Sequence, residues 1–223
     1  MYKTISNKII REFNPCYDPS KYITDENEEL SVKQWIEKYK NVVPIKDIFW
    51  LLIRKEYLSY KDLRLFAVWC AREALKLIKN PDERSVEACN VAERYANKQA
   101  TKKELIEAHE AIVEATKYLD NIDNVDNYKH NSIISSIIFH AVSIASFVYS
   151  DDDYNDNLNI DDDYYSSFST FVIVNNTAVA ARFDAYDAAN ADGKNDIDAE
   201  KISSIVKDKT HYRQLNQLLT YFE

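Results

Sequence analysis

The 223 residues carry 37 acidic against 28 basic side chains, a formal net charge of −9, with 46% hydrophobic residues and a single glycine. A chain of this length and apolar content can bury a sizeable core. One glycine and four prolines exclude both common glycine-rich phosphate loops and disfavour turn-rich all-β folds, which leaves helices.

In chain order, Ile5, Ile9, Ile10 and Phe13 suggest a short strand or a turn of helix, and residues from Pro15 to Asn27 read as a loop. From Ser31 to Lys40 the pattern is helical, with Val32, Trp35, Ile36 and Tyr39 on one side. Pro44 opens another short helix through Phe49, Leu52 and Ile53.

The stretch from Ser59 to Leu119 holds three consecutive amphipathic helices. The first starts near Ser59 or Asp62 and ends at Asn80. Leu63, Phe66, Ala67, Cys70, Ala74, Leu77 and Ile78 make one apolar stripe, and Leu65, Val68, Trp69 and Leu75 a second. A helix apolar on two sides is buried on two sides, so it is expected at the centre. Asn80 then caps the next helix, with Pro81 at its first position and two acids complementing the helix dipole. That helix carries Ala88, Cys89, Ala92, Tyr95 and Ala96 and ends around Asn97. Thr101 and Glu104 form a capping box for a third helix striped by Leu105, Ala108, Ile112, Ala115 and Leu119.

These residues carry a resemblance. Arg64 to Ile78 (RLFAVWCAREALKLI), followed by NPDERSVEACNVAERYANKQATKKEL, resembles a family of uncharacterised phage and bacterial helical proteins, some bacterial members of which are labelled immunity proteins. Cys16-Tyr17-Asp18-Pro19 and Pro44-Ile45-Lys46-Asp47-Ile48-Phe49-Trp50 are similar to that family's opening blocks. The resemblance covers roughly residues 16–119. It implies a phage-type setting but transfers no established activity. Family members often have glycine after the second helix, where this chain has Lys98, and Ala-rich helices where it turns Asp- and Ser-rich.

After Leu119 comes a polar linker, then twenty residues from Asn131 to Ser150 without a formal charge. Six serines, the central His140 and the lack of a basic flank favour a buried helix over a membrane span. Asp151 to Asp163 reads as an acidic loop. A helix is expected from near Tyr164 through Ala191, then two terminal helices, Asp198 to Asp208 and Thr210 to Tyr221, the last docked by Leu215, Leu218, Leu219 and Phe222. Between Asp120 and Glu200 stand 16 acids against three bases. That asymmetry argues against nucleic-acid binding there and suits a basic protein surface.

His109, His140 and Cys89 are types that bind zinc, but no pair has ligand spacing, so no metal and no cofactor is expected. Cys16, Cys70 and Cys89 read as free thiols of a reducing cytosol. The first residues show no signal-peptide pattern, and a cytoplasmic location follows, the host cytoplasm if the chain is phage-encoded. Counting Gly193 as the sixth residue of a calcium loop puts Ala188 first and Ala199 last, which fails at both ends; a helix-terminating glycine remains. Arg64, Trp69 and Arg72 lie together on the central helix, either binding a small anionic, nucleotide-like ligand in a helical cleft or, for Arg72, pairing with Glu87 or Glu93. Asp151, Asp152, Asp153, Tyr154, Asp161, Asp162, Asp163, Tyr164 and Tyr165, with the acids of 184–200, form the partner-binding candidate.

The expected fold is all-α, a multi-helix bundle or stacked helical hairpins, in a single domain: a family-like part to residue 119 and an acidic helical part from 120 to 223. The expected function is that of a non-enzymatic binder. One setting is a phage-type inhibitor that blocks or sequesters a component of bacterial anti-phage defence through its acidic face. The alternatives are an immunity protein neutralising a toxin and the anionic-ligand binder near Arg72.

Overall fold

A computed structural model describes residues 1–77, 80–119 and 162–222, with side chains in 1–77, 80–114 and 172–222. Among the described residues the protein is all-α apart from one two-residue ladder. The order is β1 (Thr4–Ile5), α1 (Asn7–Glu12), a 3-10 turn (Pro19–Lys21), β2 (Leu30–Ser31), α2 (Val32–Tyr39), α3 (Ile45–Leu52) and α4 (Tyr60–Leu75). Then come α5 (Glu83–Ala96), α6 (Lys102–Leu119), α7 (Asp162–Ala191) and α8 (Asp196–Leu219). The uncharged stretch 131–150, expected to be a buried helix, lies outside the described residues, as does most of the acidic loop.

The helix starts follow from their caps. Ser31 and Gln34 form a reciprocal capping box on α2, Ser31 Oγ accepting from Gln34 N at 3.3 Å and Gln34 Oε1 from Ser31 N at 3.2 Å. Ser59 Oγ accepts from Asp62 N at the start of α4. The Thr101–Glu104 box opens α6 as expected, with Glu104 Oε2 accepting from Thr101 N at 2.7 Å. Two boundaries are corrected. α4 stops at Leu75, not Asn80, and Leu77 is only half-buried. The cap of α5 is Asp82, whose carboxylate accepts from Arg84 N at 2.9 Å, so Pro81 precedes the helix and Asn80 does not cap it. Three residues in a row can cap or begin a helix there, and the last one wins because its oxygen reaches two residues ahead.

The N-terminal segment is clamped to the body by a few specific contacts. β1 pairs antiparallel with β2, Thr4 opposite Ser31 and Ile5 opposite Leu30. Buried Asn7 donates through Nδ2 to Ile23 O at 2.8 Å and holds the loop onto α1. Arg11 forks onto Glu26 at 2.5 and 2.8 Å and also reaches Asp18. Val32, Trp35, Ile36 and Tyr39 are all buried on α2, and Ile48, Phe49, Leu51 and Leu52 on α3.

α4 is the centre. Leu63, Phe66, Ala67, Val68, Cys70, Ala71, Ala74 and Leu75 are buried, and the helix packs against α5 and α7 and more lightly against α8. Phe66 stacks on Phe49 from α3 and on Trp69 of its own helix. Glu73 is bridged by Lys76, the C-cap residue of α4, and by Arg213 of α8. The expected pair of terminal helices is one continuous helix, α8, because Asp208-Lys209-Thr210 contains neither Gly nor Pro to break it. No helix among the described residues is long and apolar enough to cross a membrane.

Candidate functional site

α7 and α8 form an antiparallel hairpin that lies half inside the body and half outside it. The inner half is fixed by polar contacts around Cys70. Gln214, fully buried on α8, donates through Nε2 to Val174 O at 3.1 Å and touches Cys70 Sγ at 3.9 Å. Thr177 Oγ1 donates to Ile173 O at 2.8 Å and lies 3.5 Å from Cys70 O. Ile173, Thr177 and Ala180 therefore turn one stripe of α7 toward α4. The Val174–Gln214 contact also sets the register: it places Ala185 opposite Ser203 and Ala189 opposite Ala199. These small side chains let the two helices approach closely, and Ala189, Ala199 and Ser203 are buried.

Beyond the body, those three are the only buried residues between Arg182 and Lys209. The hairpin turns at Gly193, whose φ of 77° is the left-handed conformation that glycine adopts without a Cβ penalty. Gly193 N donates to Asn190 O and Lys194 N to Ala189 O, the two bonds of a Schellman turn. The sequence reading of Gly193 as a helix terminator rather than a calcium-loop residue holds. Asn195 caps α8, its Oδ1 accepting from Asp198 N at 3.0 Å.

The outer half is acidic and carries bare apolar groups. From Arg182 to Glu200 stand six acids against two bases. Arg182 is paired with Glu200, and Tyr186 OH donates to Asp196 at 3.4 Å. Among the described residues no cation lies within ion-pair distance of Asp184, Asp187 or Asp192. Asp184 and Asp187 share a face with exposed Phe183, and this face continues the stripe that Ile173, Thr177 and Ala180 turn toward α4. On α8, Ile197, Ile202, Ile205 and Tyr212 are exposed. Nothing in the stripe of Leu215 and Leu218 marks all four: Ile202 and Ile205 fall off it, whereas Ile197, five full turns before Leu215, falls on it and is exposed all the same.

Of the partner-binding candidates, Asp151, Asp152, Asp153, Tyr154 and Asp161 lie outside the described residues. Asp162, Asp163, Tyr164 and Tyr165 fall in the first turns of α7, which takes in Asp162 and Asp163 where a loop was expected. Of the weaker ligand candidates, Arg64 and Arg72 meet different residues of α5. The Arg64 guanidinium lies 5.1 Å from the Tyr95 ring centre. Arg72 pairs with Glu93 at 2.5 Å and donates to Asn90 Oδ1 at 3.1 Å, the structural alternative stated for it. Trp69 is half-buried on Phe66. A groove of about 350 Å³ lies elsewhere, between α2 and the end of α8, lined by Lys33, Ile36, Lys40, Tyr212 and Leu219.

The thiols follow their surroundings. Burial pushes the Cys70 thiol far up and the Cys89 thiol up to about 11, so neither is a thiolate near neutrality, while Cys16 is exposed. Among the described residues no three His, Cys, Asp or Glu side chains gather as a metal site would require.

No family model, no curated protein and no solved structure matches the chain.

Proposed function

We propose that this chain is a non-enzymatic binding protein, a phage-type inhibitor that blocks or sequesters a component of bacterial anti-phage defence through its acidic face. The observation that carries the reading is the outer half of α7. Asp184 and Asp187 stand there unmatched beside exposed Phe183, on a helix that projects past the body it packs against. Charge without a partner gains nothing for folding, and a bare aromatic among acids supplies the apolar contact that charges alone lack. The target surface is basic, a groove that takes acids as it takes phosphates. The resemblance over residues 16–119 supplies the phage setting. An immunity protein that neutralises a basic toxin uses the same chemistry, and the identity of the captured partner separates the two.

The test is capture from bacterial lysate on the immobilised chain, followed by association rates with the captured protein. Replacing Asp184 and Asp187 with Asn, together with the triplets 151–153 and 161–163, slows association and flattens its salt dependence while thermal stability stays put. An association rate indifferent to both salt and neutralisation overturns the reading.

A further inference from the structure

The exposed face of α8 is built to meet a copy of itself. Ile197, Lys201, Ile205, Asp208 and Tyr212 follow one another at spacings of four, four, three and four, which keep this seam on one face of the helix. Ile197 is 69% exposed, Ile205 54% and Tyr212 42%, and Lys201 and Asp208 are exposed too. Among the described residues Lys201 and Asp208 have no ion-pair partner.

The seam is self-complementary when reversed. A two-fold axis between Ser204 and Ile205 sets Ile197 against Tyr212 of the second copy, Lys201 against its Asp208, and the two Ile205 side chains beside the axis. Each unlike charge meets its opposite twice, and each apolar group meets an apolar group. On one flank of the seam Asp198 comes within reach of Lys209 of the second copy. No parallel arrangement does this, because in register it stacks Lys201 on Lys201 and Asp208 on Asp208.

The groove between α2 and α8 is continuous with the seam, since Tyr212 lines it. The antiparallel register carries the second copy's hairpin turn, Asp192 to Lys194, to the level of Leu215 to Gln217. Lys33, Glu37 and Lys40 stand on the opposite rim of that groove, Lys40 paired with Glu37 at 2.6 Å. Asp192 of one copy thus comes level with that rim of the other.

We infer that the protein forms an antiparallel homodimer through the 197–212 face of α8, with each hairpin turn seated at the α2–α8 groove of its partner. The seam runs about 22 Å. Its interface falls at the small end, below about 1,200 Å², so the dimer dissociates on dilution. The dimer leaves Phe183, Asp184 and Asp187 of both copies outside the seam, which makes the assembly a bivalent acidic ligand. This inference does not depend on the identity of any target.

The experiment is sedimentation of the full chain across a concentration series. The wild type shifts from monomer to dimer. Lys201→Asp or Asp208→Lys alone weakens the dimer by about tenfold or more, because each creates two like-charge contacts. The double variant, carrying both changes, returns the dimer to wild-type strength, since the pair is then exchanged and not lost. Ile205→Cys in a Cys16→Ser background forms a disulfide-linked dimer on mild oxidation. Circular dichroism shows every variant folded, as expected for exposed positions. A wild type that stays monomeric throughout, single reversals without effect, or a double variant no stronger than the singles overturns the inference.

Discussion

α4 and the outer half of the α7–α8 hairpin are both helical, yet they are held by different physics. Around α4 each turn buries large side chains against three other helices, and the stripe is Leu63, Phe66, Cys70 and Ala74. In the outer hairpin the only buried groups are Ala189, Ala199 and Ser203, so little apolar area leaves water and the two helices depend on each other alone. The change is visible within one helix. The stripe of α7 that presents Ile173, Thr177 and Ala180 to α4 continues as Phe183, Asp184 and Asp187 in solvent. Where the body stops, the residues on that stripe change from buried to exposed and charged.

This contrast is sharpest at Phe66, which is fully buried between Phe49 and Trp69. Phe66→Ala is expected to cost about 3–5 kcal/mol in denaturant unfolding. Ile205→Ala in the outer hairpin should stay within about 0.5 kcal/mol. A next-largest effect comes from the close approach of the hairpin helices. Ala199→Leu forces them apart and should cost about 1–3 kcal/mol. Hydrogen exchange should place that loss in residues 182–205 and leave α4 protected.

A smaller and oppositely signed pair of effects tests the two helix ends. Lys98 takes φ 59° in the same Schellman arrangement as Gly193, with Lys98 N donating to Tyr95 O and Gln99 N to Arg94 O. Lys98→Gly should therefore stabilise by about 1 kcal/mol, and Gly193→Ala should destabilise by about as much although nothing crowds its missing Cβ. Thermal melts of the two variants check the signs.

The smallest effect is a pH dependence. Burial beside Phe49 holds the His211 imidazole below its ordinary range. The unfolded chain then binds the proton more readily, so this stability is present above the ordinary histidine pKa of about 6.5 and is lost as the pH falls below it. His211→Leu should remove part of the decline seen between neutral and mildly acidic pH in denaturant titrations.

Most of the body was legible because periodicity and capping point the same way. Trp35 with Tyr39, Phe66 with Cys70, and the Thr101–Glu104 box each follow from spacing alone. What was not legible needed three dimensions. Asn80, Pro81 and Asp82 can each begin a helix, and local pattern does not rank them. β1 and β2 are two residues each and meet only because Ile5 and Leu30 are brought together across the intervening α1 and 3-10 turn. Of the candidate site, the acids were legible as a count. The bare face of α8 was not, because its buried side rotates from Ala199 and Ser203 in the outer half to Leu215 and Leu218 in the inner half. No single stripe describes such a helix, which is why it looked like two.

The contacts around Cys70 also govern timing. Cys70 meets Thr177 across 107 positions and Gln214 across 144. Closing loops of that size is slow compared with forming α4, α5 and α6 from local contacts. During synthesis the inner face of α4 therefore waits, with Cys70 and its apolar neighbours uncovered, until residues near Leu218 have left the ribosome. Folding of the body is completed by α8, and a chain stalled before it would expose the same surface to chaperones and proteases.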